Sequence, residues 1–551
     1  MKIALAQIDC AVGDFDGNLK KIIQFSVDAK KKGASIVVFP EMALTGYPVE
    51  DLALRRSFLE ASKRALNFLV ARSSDEDMLD LMLVIGTLSP TKRTPDANRV
   101  AIARNSAYAI LNGEIITKYD KHLLPNTGVF DEYRVFEEGT SEGSFKLNGE
   151  RFQLFICADI WNLEQISDRV KATNKDSRID HIIVINASPF EVRKQSTRYN
   201  IARQLIHGTD ISLTYVNMVG GQDDLVFDGA SFCMFRGKVF ARAKKFREEL
   251  LVVDIEKNNS PTQENFALHS ESYDTESIYR ALVLGLRDYV QKNGFTEVVL
   301  GLSGGIDSAL CAVIAKDAVG AKNVMGILMP SKFSSKSSID DALETVNLNG
   351  FKHCIQSIEP IYDAYVAELR MSSVAQENIQ ARIRGNILMN YANTNPSALV
   401  IATGNKSELA VGYSTIYGDA VGGFAPIKDV LKSKVYELAV WRNGHEFEKN
   451  NGSVIPKNSI TKPPSAELRA DQKDQDSLPD YAVLDAMLEL YVENAHGKDE
   501  LINAGYDREL VEEVVRMVDR AEWKRRQYPP GPKVSALAFG RDRRLPITSR
   551  F

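Results

Sequence analysis

The sequence has no apolar run near the ~20 residues that a membrane-spanning helix needs, so a helical span is excluded. Cysteine is scarce, five in 551 residues, and Cys10, Cys157, Cys233, Cys311 and Cys354 form no C-x-x-C pair. A disulfide framework is therefore excluded, and the seven histidines do not join the cysteines in any zinc-ligand spacing. An excess of one charge is missing too. The 68 Lys and Arg against 73 Asp and Glu give −5, without the basic balance of a general nucleic-acid binder. The opening "MKIALAQIDC" lacks a long apolar core and a small-residue cleavage site, and reads as a first strand rather than a signal peptide. No internal repeat or low-complexity tract occurs. These absences point to a reducing, cytoplasmic setting with neither membrane nor nucleic acid as partner.

What is present divides in two. The length implies roughly two to four domains. Up to residue 256 short β-rich runs dominate, among them "KIALAQI", "SIVVFPE", "LMLVIGT", "FQLFIC" and "HIIVINASPF", which predicts a layered α/β sandwich. Residues 257–274, "KNNSPTQENFALHSESYD", are polar and aperiodic and read as a linker. From residue 275 to 551 the pattern changes. Ile278, Leu282, Leu286 and Tyr289 share a helical face, and Gly294 stops the helix. The strand "EVVLGL", a glycine turn, the helix "DSALCAVIAKDAVG" and the strand "VMGILMP" make a βαβ unit, hence a doubly wound parallel sheet.

The turn "GLSGGIDS" (301–308) sits where such sheets bind ligands, at the carboxyl end of a strand. Its glycines let backbone N–H groups converge, and the following helix adds positive potential, so it can hold a phosphate. The plainer reading is a tight turn with Asp307 or Ser308 as helix cap. Walker A is excluded, since no Lys precedes the final Ser. The turn instead resembles the SGGxDS loop of the ATP pyrophosphatases, or PP-loop enzymes, which cleave ATP between the α and β phosphates. That resemblance implies that Gly301, Leu302, Ser303, Gly304, Gly305, Ile306, Asp307 and Ser308 bind ATP, a co-substrate, and that Asp307 holds Mg²⁺.

In the first half, Glu41 in "FPE", Lys121 in "KHLLPN" and Cys157 in "FICADIW" each have a plain reading: a strand-end carboxylate, a solvated lysine, a packed thiol. Together, in this order, they resemble the Glu–Lys–Cys triad of the nitrilase superfamily. A thiol of ordinary pKa needs a base, which Glu41 supplies, and attack on a carboxamide develops an oxyanion that Lys121 can stabilise. Glu132 resembles a second carboxylate found near that triad.

A nitrilase-like amidase fused to an adenylylating domain implies an amidotransferase. Lys2 at the second position argues against an exposed N-terminal cysteine, and "FICADIW" lacks the flanking glycines of a Cys–His–Glu glutaminase. The stretches at 402–433 and 462–481 and "NASPFEVRK" (186–194) resemble the glutamine-dependent NAD synthetase family over essentially the whole chain. The resemblance implies an α-β-β-α sandwich followed by an adenine nucleotide α-hydrolase-like domain, and amidation of deamido-NAD with glutamine or ammonia. It implies glutamine contacts at Ser188, Lys194 and Thr127, the last departing from a tyrosine common after "LPN". It further implies an ATP contact at Thr403, Mg²⁺ or substrate at Glu408, deamido-NAD at Asn378, Arg382 and Lys524, and a homo-oligomer. Another PP-loop ligase, or a scaffold with decayed sites, are the alternatives. The Ser/Lys-rich segment 331–340 reads as a mobile lid over the adenylate, whose site must exclude water.

Overall fold

The computed structural model describes residues 1–91, 101–170, 178–255, 271–447, 452–470 and 472–549, which form two compact units. Residues 1–222 and 226–255 make the first, and 271–549 with 223–225 the second. Of the expected linker, 257–270 lies outside the described residues, and 271–274 already belongs to a helix.

The first unit opens with β1 (Lys2–Gln7), β2 (Ile36–Val38), β3 (Met82–Pro90), β4 (Ala103–Leu111) and β5 (Glu114–Asp120). It continues with β6 (Ser144–Leu147), β7 (Glu150–Ile156), β8 (His181–Asn186) and β9 (Ser212–Asn217). The hairpin β10 (Val219–Gln222) and β11 (Leu225–Asp228) precedes β12 (Phe232–Phe235), β13 (Lys238–Arg242) and β14 (Glu249–Asp254). One six-stranded sheet has the order β14-β1-β2-β3-β4-β5 and the other β13-β12-β9-β8-β7-β6. Their centres are parallel, β1-β2-β3 in one and β7-β8-β9 in the other. Covered on both faces, such strands read as continuous apolar runs, and every residue of β8 is buried. Ile3, Leu5, Val38 and Val84 of one sheet meet Leu154, Ile156, Ile183 and Tyr215 of the other in one core. Each such side chain contributes about 1.5–3 kcal/mol. The helices of this unit are α1 (Phe15–Lys31), α2 (Arg56–Arg72), α3 (Glu132–Val135), α4 (Leu163–Val170) and α5 (Lys194–Leu205), with α1 packed on β14 and α2 on β3 as the expected sandwich requires.

The second unit begins with α6 (Glu271–Lys292), then β15 (Glu297–Gly301), α7 (Ile306–Val319), β16 (Val324–Leu328), α8 (Lys336–Asn349) and β17 (Lys352–Ile355). The helices α9 (Glu359–Glu368) and α10 (Ser373–Thr394), β18 (Ala398–Val400), α11 (Lys406–Val411) and α12 (Lys432–Gly444) follow. The sheet order is β17-β16-β15-β18, all parallel. The chain reverses its winding between β15 and β18, which opens a crevice at their carboxyl ends. Two details differ from the sequence reading. The helix expected to bury one face, α6, also buries Ala281, Val283 and Leu284, because both α7 and α12 pack on it. Half of the expected lid is the first turn of α8, capped by Ser335. The Ser335 and Ser338 hydroxyls both donate to Glu467, at 2.8 and 2.7 Å, and tie that segment down.

Candidate active sites

Three strand ends and two turns build the first site. Cys157 directly follows β7, as expected for a residue closing "FQLFIC". Glu41 does not end its strand: β2 stops at Val38, and Pro40, lacking an N–H, cannot continue the ladder. The turn carrying Glu41 lies hard against β3. A Cβ on Gly86 would come within 2.3 Å of the Met42 nitrogen and 2.6 Å of the Pro40 oxygen, so only glycine permits that approach. Lys121 follows β5, its N–H bonded to the Asn105 carbonyl and its own carbonyl to the Gly139 N–H.

The structure brings Glu41, Lys121, Glu132 and Cys157 together, all buried. Lys121 Nζ lies 2.8 Å from Glu41 Oε1 and 2.9 Å from Glu132 Oε1. Asn105 Nδ2 donates to Glu41 Oε1 at 2.6 Å, and the Ala187 N–H to Oε2 at 2.8 Å. The Tyr47 hydroxyl donates to Glu132 at 2.9 Å. Burial alone would lower the Lys121 pKa, but Glu132 and Glu41 outweigh it and raise it, so the ammonium charge is fixed. Burial lifts Glu132 to about 7, with Lys121 opposing and Glu41 adding to the rise. Burial and then Glu41 push the Cys157 thiol well up, against Lys121. The resting Cys157 is thus a neutral thiol, and to act as a nucleophile such a thiol must pass its proton to a neighbour as it reacts.

Cys157 has φ +43°, an uncommon left-handed value for a residue with a side chain. Asp159 holds that turn and the Lys121 segment as one piece. It accepts from the His122 and Leu123 N–H groups at 3.0 and 2.8 Å, the Ile156 N–H at 3.0 Å and the Tyr119 hydroxyl at 2.9 Å. Ser188, next to Ala187, accepts from Arg198 Nε at 3.2 Å. Arg198 also donates to the Ser188 and Pro189 carbonyls and pairs with Asp228 at 2.7 Å. Lys194 lies over the Trp161 ring at the end of the Cys157 turn, 5.1 Å from its centre. Thr127 is exposed and not drawn into this network.

The second site is a cavity of about 500 Å³ at the carboxyl edge of the four-stranded sheet. Gly301, Leu302, Ser303, Gly305, Ile306, Asp307 and Ser308 line it. Gly304 does not; its φ is +78° and a Cβ there would meet the Ser338 carbonyl oxygen at 2.1 Å, so glycine is required where the turn passes α8. Gly305, not Asp307 or Ser308, is the N-cap of α7, and the Ser308 hydroxyl donates back to its carbonyl at 3.0 Å. Asp307 lies in the first helical turn, where the dipole favours a carboxylate.

Lys432, buried, forms ion pairs with Asp307 and with Glu408, the latter at 3.4 Å. Asn405 Nδ2 donates to Asp307 at 2.9 Å while its oxygen caps α11 on the Glu408 N–H. Burial lifts Glu408 to about 8; Lys432 opposes this, and Asp307 and Asp474 add to it. One lysine therefore faces an excess of carboxylates. Among the described residues no three His, Cys, Asp or Glu side chains cluster as a self-sufficient metal site. The Asp307 and Glu408 carboxyl groups nonetheless fit Mg²⁺, which takes one or two protein carboxylates, completes its shell from phosphate and water, and would replace the proton that burial favours on Glu408. Thr403, Asn378 and Lys524 line the cavity. Asn378 accepts from the Thr415 hydroxyl at 2.9 Å, and Lys524 donates to the Gly412 and Ser414 carbonyls. Arg382 lies off the cavity lining and donates to the Ile416 carbonyl at 3.2 Å.

Comparison with known proteins follows this division. A carbon-nitrogen hydrolase family model matches residues 2–260 and an NAD synthase model residues 278–528. The glutamine-dependent NAD(+) synthetase of Acinetobacter baylyi is 42% identical, with 100% of this chain and 98% of the relative covered. That of Aquifex aeolicus is 40% identical, with 100% of each covered. The chain belongs to the glutamine-dependent NAD(+) synthetase family. The solved glutamine-dependent NAD(+) synthetase of Acinetobacter baumannii, a complex with ADP, is 38% identical and superimposes with a TM-score of 0.75, covering 99% of this chain and 98% of that one.

Within this family member, several groups escape a reading of the sequence. Asn105, the Ala187 N–H and Arg198 reach the first site from distant segments and carry no local signal. Asp159 has one, the aspartate of "C-x-D-x-W", whose work is to bind three backbone N–H groups. Lys432 has a physical signal: it opens α12, where the helix dipole repels a cation, so it needs a carboxylate partner.

Proposed function

We propose that the chain makes NAD from deamido-NAD, ATP and glutamine, the first unit releasing ammonia and the second activating the acid that receives it. The observation that carries this is one chain with a buried thiol beside a Glu–Lys–Glu network and a 301–308 turn opening on a separate cavity. The relatives' names and the ADP bound in the Acinetobacter baumannii structure support it. The proposed domains are 1–256 and 275–551, joined by 257–274.

In the first unit Glu41 takes the Cys157 proton as Sγ attacks the glutamine carboxamide carbon, and the Lys121 charge stabilises the oxyanion. That proton leaves with ammonia; Glu41 then deprotonates the water that opens the thioester to glutamate. Ser188 and Lys194 are the glutamine contacts in this reading, and Thr127 a rim residue. In the second unit a nicotinate carboxylate oxygen attacks the α-phosphorus, the bond to pyrophosphate breaks, and ammonia displaces AMP from the acyl carbon. Asp307 and Glu408 would hold Mg²⁺, which neutralises the departing pyrophosphate when bound. Asn378 and Lys524, which line the cavity, are the dinucleotide contacts; Arg382, named with them from the sequence, lies off that lining and is not given the role. Intact residues at both sites disfavour a scaffold. Each NAD should appear with one AMP and one pyrophosphate by ³¹P NMR; ADP and phosphate instead would overturn the reading.

A homo-oligomer belongs to the same proposal. It is supported by exposed Ile355, Leu369 and Val374 around the edge strand β17, α9 and the start of α10, and sedimentation mass decides it. The five cysteines are all free, in keeping with the cytoplasm, and among the described residues no helix is long and apolar enough to cross a membrane.

Glu132 gives glutamine hydrolysis a pH signature. Below about 7 it is protonated and withdraws a charge from Lys121; above, the network is complete. Glutamate release should therefore climb as pH rises through neutrality. Glu132→Gln, nearly isosteric, should lower the plateau and flatten that limb, and an unchanged profile would show that Glu132 does not titrate in turnover.

A further inference from the structure

We propose that Arg384 binds substrate in the second unit's cavity, its guanidinium taking a phosphate group of a nucleotide. This rests on the reading of that cavity as a nucleotide site. Glu377, Asn378, Ala381, Arg384, Gly385 and Leu388 follow a helical period of three to four, and all line the cavity from α10. Arg382, two positions away on the same helix, is not among the residues that line the cavity.

Elimination singles out Arg384. Four cationic side chains line the cavity among the described residues: Arg384, Lys432, Lys462 and Lys524. Lys432 is held by Asp307 and Glu408, and Lys462 by Asp341 at 2.8 Å; Lys524, assigned above to the dinucleotide, gives two of its donors to backbone carbonyls. Among the described residues Arg384 spends only Nε, on the Met329 carbonyl at 3.1 Å. Its opposing charges are Glu467 and Asp419, neither of which forms an ion pair with it among the described residues. Glu467 is engaged by Ser335 and Ser338, and Asp419 by the Thr415 N–H at 2.7 Å. Burial brings the guanidinium down to about 10, and the Glu467 and Asp419 charges offset only part of that cost. Such a cation is costly unless a ligand supplies the countercharge.

Its place fits an anion that also reaches the 301–308 turn. Met329 follows β16, and the Leu302 N–H bonds the Ile327 carbonyl at 3.0 Å, so tether and turn share one edge of the sheet. The edge left on the guanidinium, its two Nη groups, matches phosphate oxygens in a way a lysine cannot. ATP and deamido-NAD both bring phosphate, and separate measurements distinguish them.

The full-length protein, Arg384→Met and Arg384→Lys are titrated calorimetrically with α,β-methylene-ATP and, separately, with deamido-NAD. KM for each substrate is measured with ammonium as nitrogen source. Arg384→Met should lose at least about tenfold in affinity for one of the two ligands, the range of a charge-assisted hydrogen bond. Arg384→Lys should fall between, and nucleotide-independent glutamine hydrolysis should not change. Should the methionine variant not fold, the lysine variant decides: a several-fold loss for one ligand supports the assignment, parental affinity for both overturns it. Equal weakening for both ligands also overturns it, since that marks a structural role. A wild-type chain that binds neither ligand would overturn the nucleotide reading itself.

Discussion

Cys157→Ala should abolish NAD synthesis from glutamine and leave synthesis from ammonium near the parental rate. The thiol's only task in the proposed cycle is to form the thioester, and no other group in the first site can replace it. Glu41 and Lys121 remain bonded to one another, but neither is a nucleophile for an amide. Removing one member of a nucleophile–base unit costs on the order of 10⁴-fold or more, so glutamine turnover should sink to background. The fold should tolerate the change, because the turn is held by Asp159 rather than by the thiol, and the lost sulfur is a small apolar volume. In the proposed cycle adenylylation uses Asp307 and its surroundings in the other unit, which the substitution does not touch. A variant that used glutamine at the parental rate would return Cys157 to the status of a packed thiol and remove the nitrilase-type reading.

Asp307→Asn should abolish synthesis with either nitrogen source. Asp307 is joined to Lys432 and to Asn405, and Glu408 shares the same lysine. Asparagine keeps the shape but withdraws the charge, so Lys432 turns wholly to Glu408, and one of the two carboxylates offered to Mg²⁺ is gone. Loss of electrostatic support for developing charge costs about 10²–10³-fold in comparable settings. Glutamine hydrolysis in the absence of nucleotide should persist, which separates this variant from one that fails to fold. Near-parental ammonium-dependent synthesis would show that pyrophosphate departs without help from this carboxylate.

Much of the chemistry is legible in the chain because it sits at strand ends. β7 announces itself as an unbroken apolar run, so its composition alone puts the next residue, Cys157, at a sheet edge. The same holds for β15 and its glycine turn, and for the capping pattern Asn405–Glu408 that opens α11. Partners that arrive from elsewhere are not legible. Nothing around Asn105, mid-strand in β4, says that its amide faces Glu41, and Ala187 acts through its backbone, which no side chain betrays. In "QARIRG" the resemblance singles out Arg382, whereas the arginine that the helical phase of α10 places on the cavity lining is Arg384. The apolar run "SIVVFPE" suggests a strand reaching Glu41, whereas β2 ends at Val38, because apolarity does not show where proline breaks the ladder.

The bonds on the Glu41 carboxylate have a bearing on how the enzyme comes into being. Its partners Asn105, Lys121 and Ala187 stand 64, 80 and 146 residues along the chain. They belong to both sheets, so no hairpin or fragment of the nascent polypeptide can assemble the base. Contacts of such sequence separation close late, after the local pairings have formed. A half-made or partly unfolded chain therefore exposes a cysteine but no working amidase, and the cell's glutamine is safe from it until the sandwich is whole.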